Sequence, residues 1–441
     1  MVRCINPFAM TVMIALLVAG ISPVCQAEGD PFPRFEVIEA NVQFWTKIYS
    51  EYSYSESIIH DKINPSIIYD VLEFDDAVTP SARKERRRIE KAACRRYRHI
   101  LRYLASGKPP RSKDERRVAA LFGKYPSKRL LECAADSVRC QRGQKDRFLE
   151  GMERSGAYID AMREIFRSYG LPEDLCYLPH VESSFRHWAR SKCGAAGMWQ
   201  FMKGTARRFI RVNYLVDERL DPMLATRAAA ELLLDNYQKL GTWPLAITAY
   251  NHGVAGVERA LREKGSFEKI IKEYRGRRFR FASRNFYAEF LAARDVAKRY
   301  RRDAGLVNFH PPVEGVVVEM PAYVSLVDLC NMLNVPPCEL KALNPALRRP
   351  ILSGEKYIPK GYGIRLPILD QSAFALLLLQ DHNDQIFKTC QRAGRRYRVR
   401  RGDTAHKIAR RHGVSLKKLA VLNGLDSTYR IYAGQYLHLP F

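Results

Sequence analysis

The sequence predicts a mainly α-helical protein that closes with small β-α-α-β modules. Two observations carry this. Apolar residues recur at helical spacing through most of the chain up to about residue 302, and the remainder contains one short plan twice. At 441 residues the chain exceeds what one core usually organises, so several domains are expected.

The first segment differs from the rest. Arg3 gives a short positive start, Met10 to Gly20 is apolar, and Cys25-Gln26-Ala27 offers a small residue for cleavage. This predicts a secretory signal over 1–27 and hence export. The apolar run is short for a membrane span, and no later stretch reaches spanning length. Lipid anchoring at Cys25 is the alternative, although Ser22-Pro23-Val24 departs from the Leu-Ala-Gly type of sequence that usually precedes a lipidated Cys. A formal net charge of +26 draws such a protein to polyanions. For an exported chain without a nucleic-acid motif, that makes an anionic wall or membrane surface the expected partner and argues against nucleic acid. Eight of the ten cysteines follow residue 27. An even count suits disulfides in an oxidising compartment, but buried free thiols fit equally, and no metal-ligand spacing with His stands out.

Residues 28–145 read as mainly helical. Val42, Phe44, Trp45, Ile48 and Tyr49 form one apolar face, and Ile89, Ala93, Tyr97, Ile100 and Leu104 another. Arg86, Arg87, Arg88, Arg95 and Arg98 lie mostly opposite the second face. A second helical unit is expected over 146–302, with one helix from Gly151 to Tyr169 ended by Gly170 and another from Met223 to Leu240. Between them, Leu171 to Gln200 organises the rest. Pro172, Glu173 and Asp174 suit a first helical turn and place Glu182 at the helix's far end. There the helix C-terminus and the apolar neighbours Pro179, Val181 and Phe185 both disfavour a charged carboxylate, which describes a general acid. Small residues through Gly194 and Gly197 then lead to Met198-Trp199-Gln200-Phe201-Met202, flat and polar groups suited to a sugar. Asn251-His252-Gly253 ends a later helix and leaves Tyr250 within reach of a cleft.

Glu182-Ser183, Ser191, Gly194-Ala195, Gly197-Met198-Trp199-Gln200, Met202 and Ala249-Tyr250-Asn251 resemble, in order and spacing, the lysozyme-like domain of family 1 lytic transglycosylases. Gln43-Phe44-Trp45 and Gln144 to Phe148 also resemble the segment that precedes this domain in relatives. The resemblance implies a lysozyme-like fold and Glu182 as catalytic acid. It places Ser191 near the positive centre and the N-acetyl group, Gln200 and Met202 along the saccharide subsites, and Tyr250 on Glu182. Core packing is the alternative for Met202 and the favoured reading for Trp199. No metal or organic cofactor is implied.

Residues 303–314, with His310-Pro311-Pro312, read as a linker. The module at 315–368 and the one at 395–441 share a spacing, with a Val nine residues before the Leu-Asn turn: Val335 to Asn344 and Val414 to Asn423. A connecting segment at 369–394 holds a short apolar run at Phe374 and Leu376 to Leu379. The second copy resembles the LysM module through Arg401-Gly402-Asp403-Thr404, Ile408-Ala409, Gly413-Val414-Ser415, Leu419, Leu422-Asn423 and Leu439-Pro440. That resemblance implies binding of N-acetylglucosamine-containing polymers between the turn at Gly402, Asp403 and Thr404 and the one after Asn423. The first copy lacks the Gly-Asp-Thr turn, which favours a spacer over a sugar binder.

Together the resemblances imply cleavage of peptidoglycan glycan strands by one acid, without water. Ordinary glycoside hydrolysis needs two carboxylates, and the next acidic residue after Glu182 is Asp217, beyond the matched loop. The competing readings are a hydrolytic muramidase and an inactive wall-binding scaffold.

Overall fold

The structure is a computed structural model and describes residues 29–75, 79–303, 305, 307–368, 386–392 and 396–439. The expected leader, the apolar run after Phe374 and the closing Pro440 lie outside the described residues. Among those described, no helix is long and apolar enough to cross a membrane, and all eight cysteines are unpaired thiols.

The chain is mainly α, and its largest core gathers helices from two distant stretches. Glu36–Ser50 buries Ile38, Val42, Trp45, Ile48 and Tyr49 among residues of Pro222–Leu240, Trp243–His252 and Phe281–Arg302. Asn41 Nδ2 and Trp45 Nε1 both donate to Asn285 Oδ1, at 2.7 and 3.2 Å. The boundary expected at 145/146 therefore does not separate two cores, because the first helix completes the later one. Pro222–Leu240 follows its sequence cues: the Asp221 carboxylate accepts from Met223 N and Leu224 N at its start, and Gly241, at φ 75°, turns the chain at its end.

Two expectations need correction here. The single helix from Gly151 to Tyr169 is two, Lys145–Ser155 and Ile159–Ser168. The break falls where the chain before the first module crosses: His310 N donates to Glu153 O at 2.8 Å and Val313 N to Ala157 O at 3.2 Å, and a Cβ at Gly156 would overlap the His310 carbonyl. The 303–314 linker is thus partly pinned to the 146–302 unit. The second correction is a sheet within 28–145. Strands β1 (Glu56–Asp61), β2 (Ile68–Glu73) and β3 (Val138–Arg142) pair antiparallel in the order β2-β1-β3. Pro80–Ala105 packs Tyr97, Leu101 and Leu104 with Ile59, Tyr69 and Val138 in a separate core. Ile58 and Ile59 face different cores, so no polar alternation marks the strand.

Both C-terminal copies have the expected plan. In the first, Val316–Glu319 pairs with Gly363–Leu366 around helices Leu326–Leu333 and Pro337–Leu343. In the second, Arg396–Arg398 pairs with Tyr436–His438 around Ala405–Arg411 and Leu416–Asn423. The shared Asn explains the shared spacing. Asn344 Nδ2 donates to Leu340 O and Arg365 O at 2.8 and 2.7 Å while its Oδ1 accepts from Arg365 N at 2.8 Å. Asn423 makes the same three bonds, to Leu419 O, His438 O and His438 N. Each amide staples the second helix to the closing strand. Asn423→Ala should destabilise its module by about 2–3 kcal/mol, read as faster hydrogen exchange confined to residues 396–439; exchange unchanged there would refute the staple.

Candidate active site

Glu182 is the last residue of the turn Leu178–Glu182, which follows a 3₁₀ turn over Glu173–Tyr177. The long helix expected here is absent, so a macrodipole is not what shifts the acid. Burial alone pushes the carboxyl up to about 8, although the residue keeps partial access to solvent. Glu182 is thus packed among protein atoms without being sealed from solvent. If it acts as a general acid, kcat/KM should hold through neutral pH and fall as pH rises through about 8. A fall centred in the ordinary carboxylate range would contradict this.

The next residues hold Glu182 in place at some conformational cost. Ser184 and Phe185 are left-handed at φ 51° and 58°, and Gln200 at 49°. Such values in residues other than glycine persist only where surrounding contacts impose them. Here Ser183 Oγ donates to Met198 O at 2.8 Å, Arg154 Nε to Ser184 O at 2.9 Å, and Phe185 is fully buried. The turn after Glu182 is thereby tied to the loop from Arg190 to Phe201.

That loop carries two of the expected site residues, and a third, Met202, follows it directly. Ser191 is exposed, and its Oγ accepts from Ala195 N at 2.9 Å, closing the small-residue turn. Gln200 is partly exposed, with Nε2 donating to Gly197 O at 2.7 Å. Met202 is 47% exposed, which removes the core-packing alternative. Trp199 is fully buried and donates from Nε1 to Thr226 Oγ1 at 2.9 Å, a core residue as favoured. Tyr250 lies at the end of Trp243–His252 against Trp199 and Phe201. The resemblance implied a bond from Tyr250 to Glu182; instead its hydroxyl donates to Trp199 O at 2.8 Å. Burial and then the charge of Glu182 raise its phenol well above the usual value, so the two groups are neighbours.

Sequence reasoning missed a second acid. Glu289, in Phe281–Arg302, is pushed up to about 8 by burial and then by the charge of Glu182, with Arg139 opposing. A lone carboxylate inside the apolar run Phe286 to Ala293 was the available signal. His180 was also missed. It stacks on Phe148 at 4.7 Å, and burial lowers it to about 3, so it is a neutral ring beside the acid. Among the described residues no three or more His, Cys, Asp or Glu side chains are grouped to hold a metal ion.

In the second module the expected sugar-site side chains are engaged internally. Asp403 accepts from Tyr397 Oη at 2.7 Å and from Arg400 N at 2.8 Å. Thr404 caps Ala405–Arg411 by accepting from Lys407 N, and Asn423 is the staple described above. Gly402, at φ 86° with open space around it, leaves the turn's backbone accessible.

Comparison with known proteins gives the class. The Transglycosylase SLT domain model matches residues 162–272, from the helix before Glu182 to beyond Tyr250, and the LysM domain model matches residues 397–440. The matches mark an enzyme domain of the SLT transglycosylase type followed by a LysM domain, and the chain is similar to lytic transglycosylases. Among these is membrane-bound lytic murein transglycosylase D of Escherichia coli K12, at 26% identity over 311 residues, covering 67% of this chain and 68% of that protein. A stretch of 47 residues, 11% of this chain and 19% of the other, is 49% identical to the uncharacterized lipoprotein YgeR of E. coli K12. Among solved structures, the 70 kDa soluble lytic transglycosylase of E. coli aligns with 39% of this chain and 28% of its own, at 21% identity and a TM-score of 0.30.

Proposed function

We propose that this chain cleaves the bond between N-acetylmuramic acid and N-acetylglucosamine in peptidoglycan without water, leaving a 1,6-anhydro ring on the muramic residue. The observation that carries the reading is Glu182, an acid that burial keeps protonated at neutral pH while part of it stays open to solvent. It protonates the glycosidic oxygen as the bond to C1 breaks. The carboxylate left behind takes the proton of the C6 hydroxyl, whose oxygen bonds to C1 of its own ring, and Glu182 ends as the acid it began as. Because the attacking hydroxyl is tethered, its high effective concentration replaces an external nucleophile and its activating base. Ser191, Gln200 and Met202 line the strand in this reading, and Tyr250 acts from beneath by holding the Trp199 carbonyl. The name of the E. coli relative, a murein transglycosylase, supports the substrate.

The module at 395–441 binds wall glycan through the backbone of its Gly402 turn, since the neighbouring polar side chains serve the fold. Catalysis belongs to 146–302, completed by the Glu36–Ser50 helix. Export places the enzyme in the periplasm or cell envelope. The exposed Arg87, Lys91 and Arg95 support contact with an anionic wall or membrane surface.

Glu289 favours weighing hydrolysis, because hydrolysis needs a second carboxylate. The same burial that raises Glu182 keeps Glu289 uncharged at neutral pH, so it does not supply the anionic base that activates water. Mass spectrometry of digested sacculi separates the two reactions. Muramic ends lighter by one water than reducing ends are expected, and reducing ends alone would establish hydrolysis.

A further inference from the structure

The module at 315–368 keeps the plan of its C-terminal copy but not the open turn. At the position of Gly402 to Thr404 it has Tyr323-Val324-Ser325, and Ser325 caps the first helix as Thr404 does. Tyr323 and Val324 pair with Lys388 and Phe387, and Val324 also exchanges backbone hydrogen bonds with Ile358 at 3.3 and 2.7 Å. The corresponding stretch is therefore covered in the first copy, whereas among the described residues no strand pairs with Gly402 to Thr404 in the second.

What this module holds is part of the catalytic unit. Val216 is 1% exposed and belongs to the module's own apolar core, beside Leu347. Asp217 N donates to Ala346 O at 2.8 Å, and Arg348 N donates to Leu215 O at 3.0 Å. Arg348 Nη1 reaches Asn213 O at 2.5 Å, and Arg211 Nη1 reaches Gly361 O at 3.1 Å. The next step runs inward. The Asp217 carboxylate takes both prongs of Arg219, at 2.8 and 2.9 Å, with both side chains nearly inaccessible to solvent. Arg219 Nη1 then donates to Gly194 O and Phe201 O, each at 2.9 Å, while Arg190 lies 3.6 Å from the same carboxylate. One guanidinium thus spans the two sides of the loop that carries Ser191 and Gln200. A planar fork with five donors can do this; an ammonium cannot.

We propose that the 315–368 module has a positioning role in catalysis in place of sugar binding: it seats the Asn213–Asp221 strap, and Asp217 and Arg219 transmit that seat to the Arg190–Phe201 loop. Arg219 is a positioning residue, acting through the loop backbone. The proposal rests on the reading of the site given above, for the loop matters only if it faces substrate.

The test uses the full chain, a short soluble MurNAc-GlcNAc oligomer and purified sacculi. Arg219→Lys keeps the charge and loses the fork, whereas Leu347→Asp disrupts the seat of Val216 from within the module. Each is expected to lower kcat on the oligomer roughly 10-fold to 100-fold and to raise KM, with pelleting on sacculi retained. A simple loss of folded protein would scale kcat and leave KM unmoved. An unchanged KM in both variants overturns the proposal, and so does Leu347→Asp if it loses sacculus binding with normal oligomer turnover. The wild-type digest run alongside reports anhydro or reducing ends independently, so failure of the cleavage reading is seen separately.

Discussion

Glu182→Gln is expected to reduce turnover of sacculi by about 10²-fold to 10⁴-fold while wall binding through the C-terminal module persists. Gln fills the same space but cannot deliver a proton to the glycosidic oxygen. The same variant carries an opposite prediction for stability. A carboxyl whose folded pKa is about 8, against an ordinary value of 4.5, contributes most below 4.5, and the folded state loses that contribution as pH rises toward 8. Gln has no such loss. The variant should therefore match the parent in acid and exceed it at neutral pH, by of order 1–3 kcal/mol. Thermal unfolding at two pH values checks this, and an inactive variant that is less stable at neutral pH would mean that the acid is not held protonated by burial.

Gly197→Ala is the second large effect, and it acts through the backbone. Gly197 is buried at φ 83°, and a Cβ there would overlap the Arg219 carbonyl oxygen. A substituted loop must both leave the left-handed region and move off the strap. The expected cost is about 3 kcal/mol or more, with activity lost because Gln200 and the Trp199 carbonyl move with it. Gly194→Ala is the control. It has a similar φ of 88° but nothing within 4 Å of the added carbon, so it carries the conformational strain without the clash. Equal losses in the two variants would contradict the close approach of loop and strap.

The parts legible in the sequence were those written locally. Helix faces, the helix that ends at Leu240, the two β-α-α-β plans and Glu182 with its following loop all lie within short windows. What escaped depends on distant partners. Ile58-Ile59-His60-Asp61 has no alternation because both faces are buried, with His60 stacked on Phe44 at 4.4 Å, so it read as part of a helical region. Asp217 and Arg219 carry no signal in their own window, because the seat of Asp217 is Ala346 in a later module. Glu289 is hidden for a similar reason: it stands alone in the apolar run Phe286 to Ala293, and the charged groups that act on it, Glu182 and Arg139, come from distant stretches. Tyr250 and Asn423 show the converse. Their place in a pattern was plain, but the atoms they bond were not.

Digestion of sacculi in heavy-oxygen water tests the central claim most directly, because water and the C6 hydroxyl leave different oxygens on C1. If Glu182 works with the substrate's own hydroxyl, the released muramic ends carry no solvent oxygen and are cyclic ethers. Heavy oxygen bonded to C1 in the primary product would show that water is the nucleophile and would contradict the account.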